Sequence, residues 1–147
     1  MTVELQAAEI VTKLEAALPG CIVESSGNSV VIKDEFVLKA SIYLKNNAGL
    51  DFNYLNFLTA TDYTTYFELV YDLVSLEHNH KMVLKTRLTN REKPELDSVV
   101  SVWKGADFQE REIYDLFGIS FIGHPNLKRI FLWEGFQGYP LRKDFKQ

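Results

Sequence analysis

The chain has 147 residues, of which 46% are hydrophobic and 24% charged, and its formal net charge is −4. This composition indicates one soluble globular domain with its own core. No apolar run approaches the ~20 residues that cross a bilayer, and the N-terminal sequence does not resemble a signal peptide. The single cysteine, Cys21, excludes an intrachain disulfide, leaves no thiolate set for an iron–sulfur cluster and fits a reducing cytoplasm.

The first third of the chain predicts two helices and a strand pair. In order, we expect a helix over residues 3–18, strands over 21–24 and 29–33, and a helix over 36–46. Apolar residues at helical spacing define the first helix, which Pro19 and Gly20 end. Asp34 is the expected cap of the second helix.

The middle of the chain predicts the strands of a sheet. We expect a helical turn around Tyr54, a strand at 57–60, an interior strand at 66–76 and an alternating strand with one wet face at 81–89. The loop between the last two makes them an antiparallel hairpin. Its histidines, His78 and His80, could share one face as metal ligands. No third ligand is identifiable, so we interpret both as exposed loop side chains.

A helix over residues 107–117 carries most of the charged residues that could act chemically. Asp107 is its expected N-cap with Glu110 as capping-box partner, and Gly118 is the left-handed residue that ends it. Arg111 lies one turn from Asp107 and from Asp115, which predicts a solvated ladder of alternating charges. Glu110 also borders the apolar face at Phe117, which favours its partial burial beside an arginine, and Arg129 is the expected partner.

The end of the chain differs from the rest in charge and in pattern. Residues 1–123 hold 18 acidic and 11 basic side chains, whereas residues 124–147 hold 2 acidic and 5 basic ones. Glycines separate large aromatics there without a helical or strand period. We expect this segment to dock on an acidic or amphipathic protein surface, and the acidic body argues against nucleic acid. The alternative is that the segment folds back over its own sheet.

Together these elements predict an α+β fold. An antiparallel or mixed sheet carries helices packed on one face and is followed by an irregular C-terminal tail. We expect a single domain over residues 1–130, which includes the helix at 107–117, and an extended partner-docking tail over residues 131–147.

Several motifs of this sequence are found together in one known family. They are Glu110-Arg111-Glu112, Tyr114–Ile119, His124-Pro125, Leu127–Ile130 and Gly138–Phe145, with weaker counterparts at Tyr54–Tyr63 and Phe67–Tyr71. In these motifs the sequence resembles the 30 kDa subunit of NADH–quinone oxidoreductase, respiratory complex I. The resemblance covers most of the sequence from about Asp51 onward.

The resemblance implies a subunit that holds an electron-transfer complex together without a cofactor of its own. Iron–sulfur clusters, flavin and quinone are then expected in partner subunits, which include iron–sulfur subunits and a quinone-site subunit that resembles a hydrogenase large subunit. The complex would couple electron transfer to quinone with proton translocation, on the cytoplasmic side of the cell membrane. The residues implied at the partner interface are Glu110, Arg111, Glu112, Asp115, His124, Pro125, Arg129, Trp133, Phe136, Tyr139, Arg142 and Lys143.

Three alternatives stay open. The first is the equivalent subunit of a membrane-bound hydrogenase or related dehydrogenase, which the end of the sequence at Gln147, just past the Arg-Lys-Asp-Phe motif, favours slightly. The second is a free-standing enzyme that uses Glu110, Glu112 and His124 around a metal, although nothing nearby supplies a nucleophile. The third is a scaffold or regulator without an oxidoreductase partner.

Overall fold

The computed structural model describes residues 2–133 and 135–146. The elements of its first half are β1 (Val3–Glu4), α1 (Ala7–Ala17), β2 (Ile22–Ser26), β3 (Ser29–Ile32), a 3-10 turn (Asp34–Phe36) and α2 (Val37–Asn46). Those that follow are β4 (Tyr54–Asp62), β5 (Phe67–Ser75), β6 (His80–Leu88), β7 (Glu95–Asp97), α3 (Ala106–Phe117) and β8 (Ser120–Ile122). None of the described helices is long and apolar enough to cross a membrane.

The main sheet is mixed. Its strands lie in the order β2-β3-β6-β5-β4, and β1 pairs with β6 beside the end of β3. Strands β1 and β3 run parallel to β6, whereas the other neighbours are antiparallel. A small parallel pair, β7 and β8, lies outside this sheet. The predicted α+β fold is confirmed.

The core lies between one face of this sheet and the helices. Alternate residues of the central strands are buried there, namely Phe67, Leu69, Tyr71, Leu73, Met82, Leu84, Thr86 and Leu88. Ile10 and Leu14 of α1 and Leu44 of α2 are fully buried in the same core. On the opposite face Glu68 pairs with Arg87 at 3.1 Å and with Lys85 at 3.8 Å. The alternation in β6 therefore predicted correctly which of its faces is buried.

Three expectations about local structure are wrong. The first helix begins at Ala7 because the amides of Val3 and Leu5 donate to Asn79 and Lys81, which draws the preceding residues into the sheet. Tyr54 starts β4 instead of forming a helical turn, and a bulge between Leu55 and Phe57 disturbs the alternation there. Asp34 begins a 3-10 turn, and α2 has no side-chain cap.

Helix α3 occupies nearly the predicted span, but its start differs from the prediction. Gly105 is its N-cap residue, without a side-chain cap, so Asp107 lies inside the helix and does not cap it. Its C-terminal end is as predicted: Gly118 has a φ of +75°, and its amide donates to the carbonyl oxygen of Tyr114 at 2.9 Å. The helix packs beside β4, and residues within 124–133 and 135–146 hold it through the contacts described next.

Candidate functional site

Glu110 is fully buried in α3, and no cation among the described residues pairs with it. Its Oε1 accepts a hydrogen bond from the Ser98 hydroxyl at 2.6 Å, and its Oε2 accepts one from the Val99 amide at 2.9 Å. Burial raises the pKa of Glu110 to about 7, although both hydrogen bonds oppose this shift. The expected capping role and the expected pairing with Arg129 are both wrong. Glu110 instead ties the helix to the loop that precedes it.

Asp115 is also fully buried, and it orders the loop after β8. Its Oδ2 accepts backbone hydrogen bonds from Ile130, Phe131 and Leu132 at 3.1, 2.7 and 3.1 Å. Its Oδ1 lies 3.5 Å from Nε of Arg129. The charge is thus compensated by three amides and one guanidinium, as a buried carboxylate requires. The solvated ladder predicted for α3 therefore ends at Arg111 and does not include Asp115.

Arg129 joins this loop to the tail. Besides Asp115, it donates to the carbonyl oxygens of Phe136 at 3.1 Å and Gly138 at 2.8 Å. Its guanidinium carbon lies 4.9 Å from the centre of the Tyr139 ring and 5.6 Å from that of Phe136. One side chain therefore fixes the path of residues 136–139 relative to α3.

His124 connects the turn after β8 to the start of α3. Its Nδ1 accepts the Asn126 amide at 2.9 Å, so the proton of the neutral ring is on Nε2. Nε2 lies 3.1 Å from both the carbonyl oxygen and Oδ1 of Asp107. Asp107 also accepts from Nε of Arg111 at 3.1 Å, which confirms that part of the predicted charge ladder. Pro125 lies exposed at the turn that His124 closes.

The end of the tail is attached to the body by Arg142 and Lys143. Arg142 donates to the carbonyl oxygens of Phe117 at 2.6 Å and Arg91 at 3.3 Å. The Lys143 amide donates to Asp62 at 2.8 Å. Asp62 also accepts two hydrogen bonds from Arg91, which holds the pKa of its carboxyl well below the usual range. Within the described residues, the tail thus folds back on its own domain, as the alternative interpretation proposed.

The tail nevertheless leaves large aromatic groups on the surface. Trp133 is 69% exposed and meets Phe136 edge to face at 4.9 Å between ring centres, and Phe136 in turn stacks on Phe145. These rings and Pro140 line an open groove of about 620 Å³. Nearby, Phe131 and Phe108 are half-exposed and in contact with each other. We call these five aromatic residues the aromatic patch.

The metal-enzyme alternative gains no geometric support. Across residues 2–133 and 135–146, no group of three or more His, Cys, Asp or Glu side chains is placed to hold a metal ion. Glu110 and His124 are each bound to other protein groups, as described above. His78 and His80 stack at 5.5 Å, and each ring bonds through Nε2 to a backbone carbonyl at 2.8 Å. His80 belongs to β6, so its expected place in the loop is wrong.

Comparison with known proteins identifies the family of this chain. Residues 30–147 match the family described as "Respiratory-chain NADH dehydrogenase, 30 Kd subunit". The chain belongs to this family. The resemblance carried by the motifs around α3 is therefore confirmed, and the match extends upstream to β3, which the motifs did not cover.

Relatives of this 30 kDa subunit family differ widely in length. The sequence is 48% identical over 105 residues to the C/D subunit of the NADH-quinone oxidoreductase of Phocaeicola vulgatus, covering 71% of this chain and 20% of that protein. It is 41% identical over 117 residues to an NADH-quinone oxidoreductase subunit of Rhizobium etli, covering 78% and 62%. The chain thus spans between a fifth and about three-fifths of these two relatives.

A solved structure shares the fold. It is described as the membrane-bound sulfane sulfur reductase, an archaeal respiratory membrane complex. One polypeptide of that structure superimposes with a TM-score of 0.75 over 95% of this chain and 85% of its own length, at 23% sequence identity. At this identity the likeness concerns the fold alone.

The sequence contained one signal for the burial of Glu110 and none for the burial of Asp115. Glu110, Ile113 and Phe117 follow one another at three- and four-residue spacing, so the burial of Glu110 that this face allowed is confirmed, whereas the expected arginine partner is not. Asp115 faces the loop at 130–132, and local periodicity does not reveal that contact. Arg91 and Asp62, which hold the end of the tail, were likewise missed because they lie far away in the chain.

Proposed function

We propose that this chain is a non-catalytic subunit of a complex I-like NADH–quinone oxidoreductase and stabilises the assembly of its peripheral arm. The single observation that carries the proposal is the aromatic patch, four of whose five residues lie on a tail that is already fixed to the body. An aromatic surface of this kind typically becomes buried at a protein interface. Because the tail is preorganised, a partner would bind it without a large cost of ordering.

The charges around the aromatic patch support an acidic partner surface. Lys146 lines the same groove, and Lys128 and Lys143 are exposed in the same basic segment of the chain, whereas the body is acidic. Cationic side chains at the rim of an interface affect association rate and specificity. We assign the partners as the quinone-site subunit that resembles a hydrogenase large subunit and the neighbouring iron–sulfur subunits. The complex as a whole would couple quinone reduction to proton translocation on the cytoplasmic side of the membrane.

We also propose that the protein holds no redox cofactor. Iron–sulfur clusters are held by sets of cysteine thiolates, and this sequence has one cysteine. Cys21 is buried, and desolvation raises the pKa of its thiol, which disfavours the thiolate needed as a ligand. Electron transfer would then take place in other subunits, while this chain keeps them in position.

The test is purification of the tagged protein from membranes of its own organism, with identification of the co-purifying subunits. We expect iron–sulfur and multi-spanning membrane subunits with the wild type, and neither bound iron nor flavin in the protein expressed alone. Trp133→Ala should reduce co-purification strongly because an exposed aromatic anchor often contributes ~2 kcal/mol or more at an interface. Val23→Ala, an exposed apolar change on β2, is the matched control.

The outcomes separate the candidate functions. A hydrogenase large subunit with its metal centre, in place of the quinone-site subunit, would assign the protein to a hydrogenase-type complex. Equal co-purification of the two variants would show that Trp133 does not contact a partner. Recovery of the protein without any oxidoreductase subunit would reject the proposal.

A further inference from the structure

Strand β4 forms one edge of the main sheet, and no strand of the part of the chain that the structure describes lies on its outer side. It is nine residues long, contains no proline, and carries no charge before Asp62. Proteins usually protect such edges with charges, prolines or covering elements, because unpaired backbone groups can bind another strand. The sequence of β4 itself supplies no such protection before Asp62, apart from a bulge near its start.

The register shows which backbone groups of β4 point outward. The amide of Tyr63 donates to the carbonyl oxygen of Tyr66, on the side of β5. Along an antiparallel ladder every second residue directs its amide to the same neighbour, so Thr59 and Thr61 also direct their amides toward β5. Leu58 and Ala60 therefore direct theirs outward. Leu58 confirms this, because its amide donates to the side chain of Gln109 in α3. Among the described residues, no group meets the outward amide of Ala60.

An apolar groove of about 210 Å³ runs along this edge. Leu58 and Ala60 form one wall, Leu116 of α3 forms the other, and Leu141 of the tail closes one side. Glu112 is the charged residue of the lining, and within the described part of the chain no cation lies at ion-pair distance from it. The groove thus combines the free backbone amide of Ala60, apolar walls and a carboxylate without an ion pair among the described residues.

We propose that a partner subunit adds an extended strand to the outer edge of β4. Main-chain hydrogen bonds to Ala60 would supply affinity, and every second side chain of the added strand would enter the groove. The matching sequence carries an aliphatic residue for the contact with Leu116 and Leu141, followed by a lysine or arginine that pairs with Glu112. This surface is distinct from the aromatic patch, and the proposal rests on the proposed function only in taking the partner from the same complex.

The test is residue-resolved amide hydrogen exchange of the protein alone and within the membrane-derived complex. Thr59 and Thr61 should exchange slowly in both, because β5 already holds their amides. The Ala60 amide should exchange fast in the isolated protein and at least about 100-fold more slowly in the complex, as for an amide bonded within a stable sheet. Fast exchange of Ala60 in an intact complex overturns the proposal while leaving the proposed function standing. A protein that joins no complex rejects the proposed function itself.

A charge reversal at Glu112 tests whether this carboxylate pairs with a basic residue of the added strand. In the complex of Glu112→Lys, the Ala60 amide should exchange at least about tenfold faster than in the wild-type complex, because a like charge then faces the basic side chain. Glu9→Lys, an exposed reversal on α1 at the far end of the sheet, should leave that rate unchanged. Retained protection in Glu112→Lys overturns the assignment of a basic partner residue. Protection that grows with concentration in the isolated protein would assign the edge to a second copy and overturn the partner assignment.

Discussion

At the scale of single residues, α3 buries two carboxylates and compensates them differently. Oδ2 of Asp115 receives three backbone amides, and its Oδ1 lies 3.5 Å from Nε of Arg129. Glu110 receives one hydroxyl and one amide, and its pKa rises to about 7 because burial outweighs these two hydrogen bonds. Glu110 therefore gives the fold a pH dependence near neutrality.

The expected consequence concerns stability between about pH 4.5 and pH 7. The pKa of Glu110 is raised from 4.5 to about 7 on folding, so the folded state keeps a proton that the unfolded state releases. The free energy of unfolding should then fall as pH rises through this window, by at most about 3 kcal/mol. Glu110→Gln should remove this fall. The measurement is urea unfolding of both proteins at several pH values.

The other strongly shifted carboxyl does not interfere with that measurement. The pKa of Asp62 is lowered by Arg91, so its contribution is complete above the unfolded pKa of 3.8 and is lost only in more acidic solution. Glu9→Gln, on the exposed surface of α1, is the matched control and should keep the wild-type pH dependence. If the free energies of unfolding of wild type and Glu110→Gln change with pH in the same way, Glu110 ionises alike in the folded and unfolded states.

At the scale of elements, the end of α3 is fixed by the tail as well as by its own sequence. Gly118 adopts the left-handed conformation that favours glycine. A Cβ added there would lie 2.6 to 2.8 Å from the Tyr139 ring. That ring cannot easily move, because the guanidinium carbons of Arg129 and Arg142 lie 4.9 and 5.1 Å from its centre.

Gly118→Ala should therefore destabilise the protein by more than the usual cost of a left-handed alanine. Gly20 provides the comparison, since it has a φ of +84° after α1 and nothing within 4 Å of its Cβ position. We expect the loss of unfolding free energy to be larger for Gly118→Ala than for Gly20→Ala by about 1 kcal/mol or more, the cost of overpacking. Gly118→Val should cost more again. Similar losses in chemical denaturation at both glycines would show that Tyr139 adapts freely.

Elements formed by interactions between residues close in the sequence were predicted correctly, whereas those formed by distant residues were not. The β5–β6 hairpin and the end of α3 depend on neighbours in the sequence, and both were predicted correctly. The parallel pairing of β3 with β6 joins residues more than fifty positions apart, and the sequence pattern did not reveal it. Tyr54 was misassigned because a bulge interrupts the period of two that identifies a strand.

At the scale of the whole molecule, the tail belongs to the packing of this domain while it carries most of the aromatic patch on its outer side. The mixture of glycines and aromatics indicated an irregular, surface-forming segment but could not show that its polar groups face inward. Arg142 and the Lys143 amide make those inward contacts, with partners at Asp62, Arg91 and Phe117. Arg129 of the body donates to the tail carbonyls of Phe136 and Gly138. The division into a body at 1–130 and a docking tail at 131–147 remains a prediction about assembly.

The two adjacent basic residues of the tail should therefore differ in their effect on stability. Arg142 donates to the Phe117 and Arg91 carbonyls and lies 5.1 Å from the centre of the Phe67 ring, whereas Lys143 contributes its backbone amide and has an exposed side chain. Arg142→Ala should lower the free energy of unfolding by about 2 kcal/mol. Lys143→Ala keeps the amide and should stay within about 0.5 kcal/mol of wild type. Chemical denaturation of the isolated protein measures both. Equal, negligible effects would mean that the tail leaves the body in solution, and that its order depends on a partner.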